Sequence, residues 1–153
     1  MDKILGYIEA GKNEGAELLT GGARHGDKGY FVEPTVFGNV NDDMSIAKDE
    51  IFGPVMSVLK FKDMDELIRR ANETNYGLAA GVQTTNIDNA YRLANELRAG
   101  TVWVNCYNLL TEQTNFGGFK DSGFGKDSGA MAINNYTDDK LVIIAQNDDK
   151  IIP

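Results

Sequence analysis

Two stretches in the middle of the chain repeat their apolar residues at the spacing of an α-helix. In the first, positions i, i+3, i+4 and i+7 are apolar, namely Met64, Leu67, Ile68 and Ala71. Asp63 and Glu66 have the spacing of a capping box, in which two side chains satisfy backbone N–H groups at a helix start. The pattern therefore predicts a helix that begins after Asp63 and ends near Asn75, before Gly77.

The second stretch has the same period, and its apolar face consists of Ile87, Ala90, Tyr91 and Ala94. Asn86 precedes this face and is a residue type that caps helix N-termini. Gly100 follows it, and glycine is typical of the position just after a helix. We therefore predict a second helix between Asn86 and Gly100.

Short apolar runs flank these helices at residues 55–61, 78–82 and 101–105. The order of strand, helix, strand, helix, strand predicts an α/β fold, with a parallel sheet and crossover helices. Ligands of such sheets bind beyond the carboxyl ends of the strands. The long loop at residues 106–118 leaves the last predicted strand at that edge and is a candidate functional segment.

The two ends of the sequence have a different character. Residues 3–14 predict a helix that begins almost at Met1 without a capping residue, so we expect the chain to start inside a larger domain. A short helix is predicted around residues 128–136. Residues 140–146 are largely aliphatic and predict a strand without a neighbour in sequence. Such a strand often pairs with another chain or with a distant sheet edge.

Net charge narrows the range of partners. The 153 residues carry a formal charge of −8 and have a pI of about 4.6, which disfavours binding to nucleic-acid phosphates or to anionic membranes. No apolar run has the length of a membrane span, and the first residues lack a signal-peptide layout. The single cysteine, Cys106, excludes an internal disulfide. We therefore expect no nucleic-acid or membrane partner, and a reducing compartment, either the cytoplasm or the mitochondrial matrix.

Residue types alone do not assemble a catalytic centre. The chain has one histidine, His25, and one cysteine, Cys106, which is too few for the usual zinc ligand set. His25 lies in a polar turn, and no nucleophile-elbow sequence accompanies a possible Ser-His-Asp triad. Cys106 has no histidine near it in sequence, so a small buried apolar residue is its favoured interpretation.

The glycine-rich residues 116–129 are similar to a phosphate-binding loop but do not match either known pattern. Phe124 stands where a P-loop has lysine. The spacing of Gly123, Gly125 and Gly129 is one residue too long for a dinucleotide fingerprint. We therefore expect a tight backbone turn that packs against its neighbours.

Three motifs in order resemble the aldehyde dehydrogenase family. They are Asp-Glu-Ile-Phe-Gly-Pro at residues 49–54, Gly-Thr-Val-Trp-Val-Asn-Cys-Tyr at 100–107 and Phe-Gly-Gly-Phe-Lys-Asp-Ser-Gly at 116–123. Two further segments, residues 29–36 and 75–80, fit the family in the expected order. The resemblance extends to about Tyr136 and is closest to the class that oxidises retinal and acetaldehyde-type substrates.

This resemblance implies a domain boundary and a cofactor. Residues 1–137 would form the C-terminal part of the catalytic domain, and residues 138–153 a terminal strand and tail for subunit association. NAD would be held by Glu50 at the nicotinamide-ribose hydroxyls, by Phe52 beside that ribose and by Lys3 at the adenosine ribose. A carboxylate suits a vicinal diol because it accepts two hydrogen bonds. Without the resemblance, these residues would be a surface acid, a core phenylalanine and a solvated lysine.

The resemblance also implies an aldehyde tunnel whose wall includes Leu110 and Phe116; both are otherwise ordinary packing residues. The sequence departs from the family pattern at Asn115, where proline is common, so the turn there is expected to be looser. Lys126-Asp127 stands where Arg-Glu is usual, which weakens a bidentate contact. The tail after Asp138 is only loosely similar to the family.

The groups that perform the family's chemistry lie upstream of the matched segment. They are a cysteine thiolate that attacks the aldehyde, a glutamate that activates water, and the nucleotide-binding domain. Cys106 aligns with a tunnel-region cysteine, so we expect no catalytic residue in this chain and no activity of the chain alone. One histidine and one cysteine also lead us to expect no metal site. The expected function is that of a fragment of a homo-oligomeric, NAD-dependent enzyme that oxidises aldehydes to carboxylic acids. The alternative is a non-catalytic protein that associates with full-length subunits.

Overall fold

The computed structural model describes residues 1–144, and the chain divides into two compact units between Thr74 and Asn75. The first unit contains helices α1 (Asp2–Asn13), α2 (Ser45–Lys48) and α3 (Met64–Glu73), and strands β1 (Glu17–Thr20), β2 (Thr35–Gly38) and β3 (Val55–Ser57). The second contains strands β4 (Tyr76–Gly77), β5 (Ala79–Val82), β6 (Thr101–Val104) and β7 (Phe119–Lys120), helix α4 (Ile87–Glu96) and a 3-10 helix (Ala130–Asn135).

The first unit is built on a three-stranded mixed sheet in the order β1-β2-β3. Strand β2 pairs antiparallel with β1 and parallel with β3, with Phe37 opposite Leu18 on one side and Ser57 on the other. Phe37 and Ile8 of α1 are fully buried and form the centre of a core that includes Ile46 and Ile51. This core lies directly beneath the segment that joins α2 to β3.

The second unit contains a parallel pair and a short antiparallel pair. Strands β5 and β6 are parallel and joined by α4, with Ala79 opposite Thr101, whereas β4 pairs antiparallel with β7. Among residues 75–144 the buried apolar residues are few, namely Val82, Ala90, Leu93 and Trp103. The β5-α4-β6 arrangement confirms the predicted crossover for this part of the chain.

Both predicted helix starts are confirmed. Asp63 accepts a hydrogen bond from the backbone N–H of Glu66 at 2.8 Å, and Asn86 accepts one from that of Asn89 at 3.0 Å. The Glu66 carboxylate reaches back to the N–H of Lys62 at 2.9 Å rather than to that of Asp63. The two caps could be predicted because each depends only on residues a few positions apart.

The prediction of a single parallel sheet is wrong. β3 belongs to the mixed sheet of the first unit, whereas β5 and β6 form their own pair. Each predicted strand is also shorter, and 55–61 shrinks to Val55–Ser57. Strand β2 was not predicted, since its four residues are too short a run to show a clear period.

The apolar face predicted for α4 is also wrong in part. Ala90 is buried as expected, but Leu93 is the other buried residue, while Ile87 and Tyr91 are 65% and 67% exposed. Residues i and i+3 therefore face the β5-β6 pair. Helical spacing alone allowed two overlapping apolar faces, and tertiary packing selected the one that contains Leu93.

The described part of the C-terminal segment, residues 138–144, contains no strand. Its four aliphatic residues are 61–84% exposed and are Leu141, Val142, Ile143 and Ile144. The rest of the predicted strand, residues 145–146, and the remainder of the tail lie outside the described residues. The strand's pairing with another chain stays a prediction.

Candidate functional site

The segment from Asp49 to Val55 leaves helix α2 and leads into β3 along the edge of the first core. Ile51 is buried and anchors the segment in that core, while its neighbours Glu50 and Phe52 are exposed. An open pocket of about 460 Å³ lies here, lined by Ile46, Asp49, Glu50, Ile51, Phe52, Gly53, Val55 and Ser57. Burial of one side chain thus presents the two residues beside it on the surface.

Phe52 has an unusual backbone conformation. Its φ angle is +57°, in the left-handed region where a residue other than glycine costs roughly 1–2 kcal/mol. Its side chain is 81% exposed, so the aromatic ring gains little from burial. Phe52 is therefore not part of the core of this unit, and strain of this kind at a surface pocket marks a functional candidate.

Glu50 presents an available carboxylate at the same pocket. Within residues 1–144 it makes no hydrogen bond or ion pair. Both oxygens are therefore available to accept hydrogen bonds from a ligand, and a vicinal diol offers two donors at a suitable spacing. This residue fits the ribose-binding role that the resemblance implies.

Lys3 lies on α1, which contacts the same segment. Its Nζ atom is 5.8 Å from the centroid of the Tyr7 ring, and the Tyr7 hydroxyl donates a hydrogen bond to Asp49 at 3.2 Å. Ile4 packs beside Gly53. The structure thus brings the three predicted cofactor residues onto two segments of the first unit that touch. The sequence did not indicate Tyr7 or Asp49 as site residues. Tyr7 lies one helical turn after Lys3, and Asp49 directly precedes Glu50.

In the second unit, the loop that follows β6 is held mainly by polar contacts. The indole N–H of Trp103 donates to the carbonyl of Leu109 at 2.9 Å. The Asn105 side-chain amide accepts from the N–H of Thr84 and donates to its carbonyl, both at 2.9 Å. Leu110, the first predicted tunnel residue, follows Leu109 and is 44% exposed.

Phe116, the second predicted tunnel residue, lies at the other end of this loop and is partly buried. It exchanges two backbone hydrogen bonds with Asp127, at 2.8 and 2.7 Å. The Gly117 carbonyl passes so close to Gly100 that a Cβ atom at Gly100 would lie 1.7 Å from it. The glycine-rich segment is therefore the tight, packed turn that its sequence predicts.

The remaining candidates are surface residues. Cys106 is exposed and unpaired, so its interpretation as a buried apolar residue is wrong. Strand β6 ends at Val104, and the chain has left the core before it reaches Cys106. His25 is exposed in the turn closed by Arg24. Among residues 1–144, no cluster of three or more acidic, histidine or cysteine residues has the arrangement of a metal site.

One ion pair supports the first unit electrostatically. Arg70 of α3 binds Asp42 through Nε at 2.7 Å and Nη2 at 2.9 Å, and its Nη1 atom binds Glu66. The hydrogen bond from Arg70 lowers the pKa of Asp42, and that of Arg70 is raised by the same contact. This pair braces the loop that leads into α2, and no local sequence signal predicts a contact across 28 positions.

Known proteins share this arrangement of segments. The model of the aldehyde dehydrogenase family matches residues 1–142. The chain belongs to the aldehyde dehydrogenase family. It is 59% identical over 143 residues to aldehyde dehydrogenase 1A1 of Mesocricetus auratus, a match that covers 94% of this chain and 28% of that protein. A putative aldehyde dehydrogenase-like protein of Schizosaccharomyces pombe is 57% identical over 143 residues, with the same two coverages.

The dehydrogenase fold is confirmed by a solved relative. The NAD+ complex of an aldehyde dehydrogenase from Bacillus cereus matches with a TM-score of 0.87 at 55% identity, covering 90% of this chain and 28% of that chain. This dehydrogenase segment therefore spans about 28% of the length of the relatives that it matches. Among its described residues, no helix is long and apolar enough to cross a membrane.

Proposed function

We propose that this chain is part of an NAD-dependent aldehyde dehydrogenase subunit that oxidises aldehydes to carboxylic acids. It corresponds to the C-terminal part of the catalytic domain, and the nucleophile and the nucleotide-binding domain belong to other parts of the subunit. The observation that carries this proposal is the unpaired Glu50 carboxylate beside the exposed, left-handed Phe52 at an open pocket.

The residues of this pocket fit one part of the cofactor. Glu50 accepts hydrogen bonds from the two hydroxyls of the nicotinamide ribose, and the Phe52 ring packs beside that ribose. Lys3 donates to the adenosine ribose from α1. When bound, NAD supplies the hydride acceptor. The segment's own contribution is to bind and orient the dinucleotide, and it does so incompletely without the rest of the subunit.

On the substrate side, Leu110 and Phe116 form part of the wall of an aldehyde tunnel. The substrate class is that of retinal and acetaldehyde-type aldehydes, by resemblance of the motifs. The subunit works as a homo-oligomer in the cytoplasm, with the mitochondrial matrix as the alternative compartment. Apolar side chains at both positions suit an aldehyde whose carbon chain is desolvated before it reacts.

A substitution at Glu50 tests the cofactor assignment. In a complete subunit that contains this segment, Glu50→Gln removes the charge but keeps the size. We expect the Kd for NADH, measured by fluorescence titration, to rise about tenfold or more, since hydrogen bonds to charged groups are the stronger ones. Glu112→Gln is the matched control because Glu112 is also exposed. An unchanged Kd in Glu50→Gln would refute this use of the pocket.

Activity of the isolated chain is a second test. The 153-residue chain, incubated with NAD and an aldehyde, is expected to give no NADH, because in this proposal the attacking thiolate and the glutamate that activates water belong to other parts of the subunit. Turnover that is abolished in Cys106→Ser would show that the chain contains its own nucleophile and would overturn the proposal.

A non-catalytic role in association is the second candidate, and one observation favours it. Residues 141–144 expose an aliphatic run, each side chain at least 61% accessible, and such a run promotes association. In this role the chain binds full-length dehydrogenase subunits. Co-migration with a full-length family member in size-exclusion chromatography is the expected result; a chain that remains a monomer beside that partner would exclude this role.

A further inference from the structure

We propose that Tyr7 is a positioning residue for the nucleotide site, since its hydrogen bond to Asp49 fixes the segment that carries Glu50 against the helix that carries Lys3. The inference deepens the proposed function and rests on it. It concerns a side chain that is not expected to touch the nucleotide.

The contact joins two segments that are distant in sequence. The Tyr7 hydroxyl donates to Oδ2 of Asp49 at 3.2 Å across 42 positions. Tyr7 itself is partly buried and packs against the core that contains Ile8 and Phe37, so its ring is held in place. Asp49 is also fixed on its backbone side, because its N–H donates to the carbonyl of Ser45 at 2.9 Å.

A second contact from α1 holds the far end of the segment. Ile4 lies so close to Gly53 that a Cβ atom there would be 2.7 Å from its Cδ1 atom. Asp49 and Gly53 therefore bracket Glu50 and Phe52, and both are held by residues on one helix. Lys3 precedes Ile4 on that helix, and its ammonium group lies 5.8 Å from the Tyr7 ring centroid.

These two contacts from α1, Tyr7 with Asp49 and Ile4 with Gly53, have two physical consequences. A strained left-handed residue such as Phe52 persists only where its surroundings over-determine it, and the two contacts from α1 supply that constraint. A dinucleotide also places its two riboses at opposite ends of one molecule. When Lys3 and Glu50 are kept at a fixed spacing before binding, less conformational entropy is lost as both riboses are captured.

The first arm of the test uses the 153-residue chain without nucleotide. Tyr7→Phe removes only the hydroxyl, and Tyr30→Phe is the matched control, since Tyr30 is 85% exposed and makes no hydrogen bond through its side chain within residues 1–144. Amide hydrogen exchange at Asp49 and Val55, whose N–H groups donate to backbone carbonyls, is expected to be faster in Tyr7→Phe than in wild type and unchanged in Tyr30→Phe. Equal exchange in Tyr7→Phe and wild type would overturn the inference.

The second arm measures the Kd for NADH in a complete subunit that contains this segment. Tyr7→Phe is expected to raise it about fivefold, the effect of one net hydrogen bond, and Asp49→Ala to do the same. Asp49→Asn, which keeps an oxygen acceptor, is expected to remain near the wild-type value. Faster exchange with an unchanged Kd would mean that Tyr7 stabilises the fold without positioning the site.

The two arms also separate this inference from the proposed function. If the wild-type subunit does not bind NADH, or if Glu50→Gln binds it as well as wild type, the proposed function fails. The exchange result for Tyr7→Phe still stands in that case, because it requires no nucleotide. If Glu50→Gln weakens binding and Tyr7→Phe does not, only the positioning role is lost.

Discussion

The proposed cofactor segment, residues 49–55, and the loop at residues 105–118 are supported in opposite ways. The cofactor segment is anchored by a buried side chain, Ile51, and contains a strained residue, Phe52. No side chain from 105 to 117 is buried, and that loop is held by the Trp103 indole, the Asn105 amide and backbone pairs.

This difference fits the two kinds of ligand that we propose for these regions. A cofactor is the same in every turnover, and a segment anchored in the core holds its ligands at one position. A substrate loop that depends on polar and backbone contacts leaves its side chains free to differ without disturbing a core. On this view Leu110 is replaceable and Ile51 is not, and substitutions in the two regions should differ accordingly.

The largest effect is expected from the backbone contact that closes the loop. Gly100→Ala places a Cβ atom on the Gly117 carbonyl, and because two backbones cannot separate without refolding the turn, we expect a loss of about 4 kcal/mol or more. Chemical denaturation measures it. Gly6→Ala is the control, since nothing lies within 4 Å of its Cβ position, and it should stabilise α1 by about 0.8 kcal/mol.

Next in size is the anchor of the cofactor segment. Ile51→Ala leaves a cavity in the first core and is expected to lower the free energy of unfolding by about 3 kcal/mol. Leu110→Ala, at a residue that is 44% exposed, is expected to lower it by less than about 1 kcal/mol. Equal losses in the two variants would remove the distinction between an anchored segment and a replaceable loop.

A smaller effect, of opposite sign, is expected at the strained residue. Phe52→Gly relieves the left-handed backbone and should stabilise the chain by about 1 kcal/mol, while NADH affinity of the complete subunit falls. Phe124→Gly provides a matched comparison: Phe124 is fully exposed, and its φ angle is not positive. It should destabilise the chain by about 0.5–1 kcal/mol. If Phe52→Gly destabilises the chain as well, no strain is stored there.

The smallest expected effect is a pH-dependent change in the stabilisation that the Asp42–Arg70 ion pair gives to the first unit. Because the folded pKa of Asp42 is lowered by Arg70, the pair contributes stability above the unfolded value of about 3.9. That contribution is lost as the pH falls through the folded pKa. The stability difference between wild type and Asp42→Asn should therefore be constant near neutral pH and shrink in acid. In an Arg70→Met background this dependence should become much weaker, since the hydrogen-bond partner that lowers the pKa of Asp42 most is gone and only the charge of Arg69 remains.

The sequence predicted those features that short stretches of chain decide. Asp63 and Asn86 cap their helices because a cap needs only the next three residues. The partner of β3 could not be predicted, since parallel pairing with β2 depends on packing of a shared core. The α4 face was misassigned for the same reason: Leu93 and Tyr91 both fit an apolar face at helical spacing, and the position of the β5-β6 pair decides that Leu93 is the buried one.

The sequence indicates candidate residues for the site but not their geometry. Family motifs indicated Glu50 and Phe52, but a phenylalanine gives no sign that its backbone is left-handed, whereas a glycine would have suggested it. The hydrogen bond between Tyr7 and Asp49 joins residues 42 positions apart, and no periodic pattern in the sequence predicts a contact at that separation. The exposure of Cys106 depended on where β6 ends, which is the least certain part of any strand prediction.

The exposed Cys106 gives this protein a natural attachment point. It is the single thiol in the chain and directly follows Asn105, whose amide ties the end of β6 to Thr84. A maleimide dye would therefore be attached at one defined position, where a rigid strand passes into the loop that contains Leu110. In the 153-residue chain, its emission anisotropy would report how freely the start of that loop moves, without any engineered cysteine.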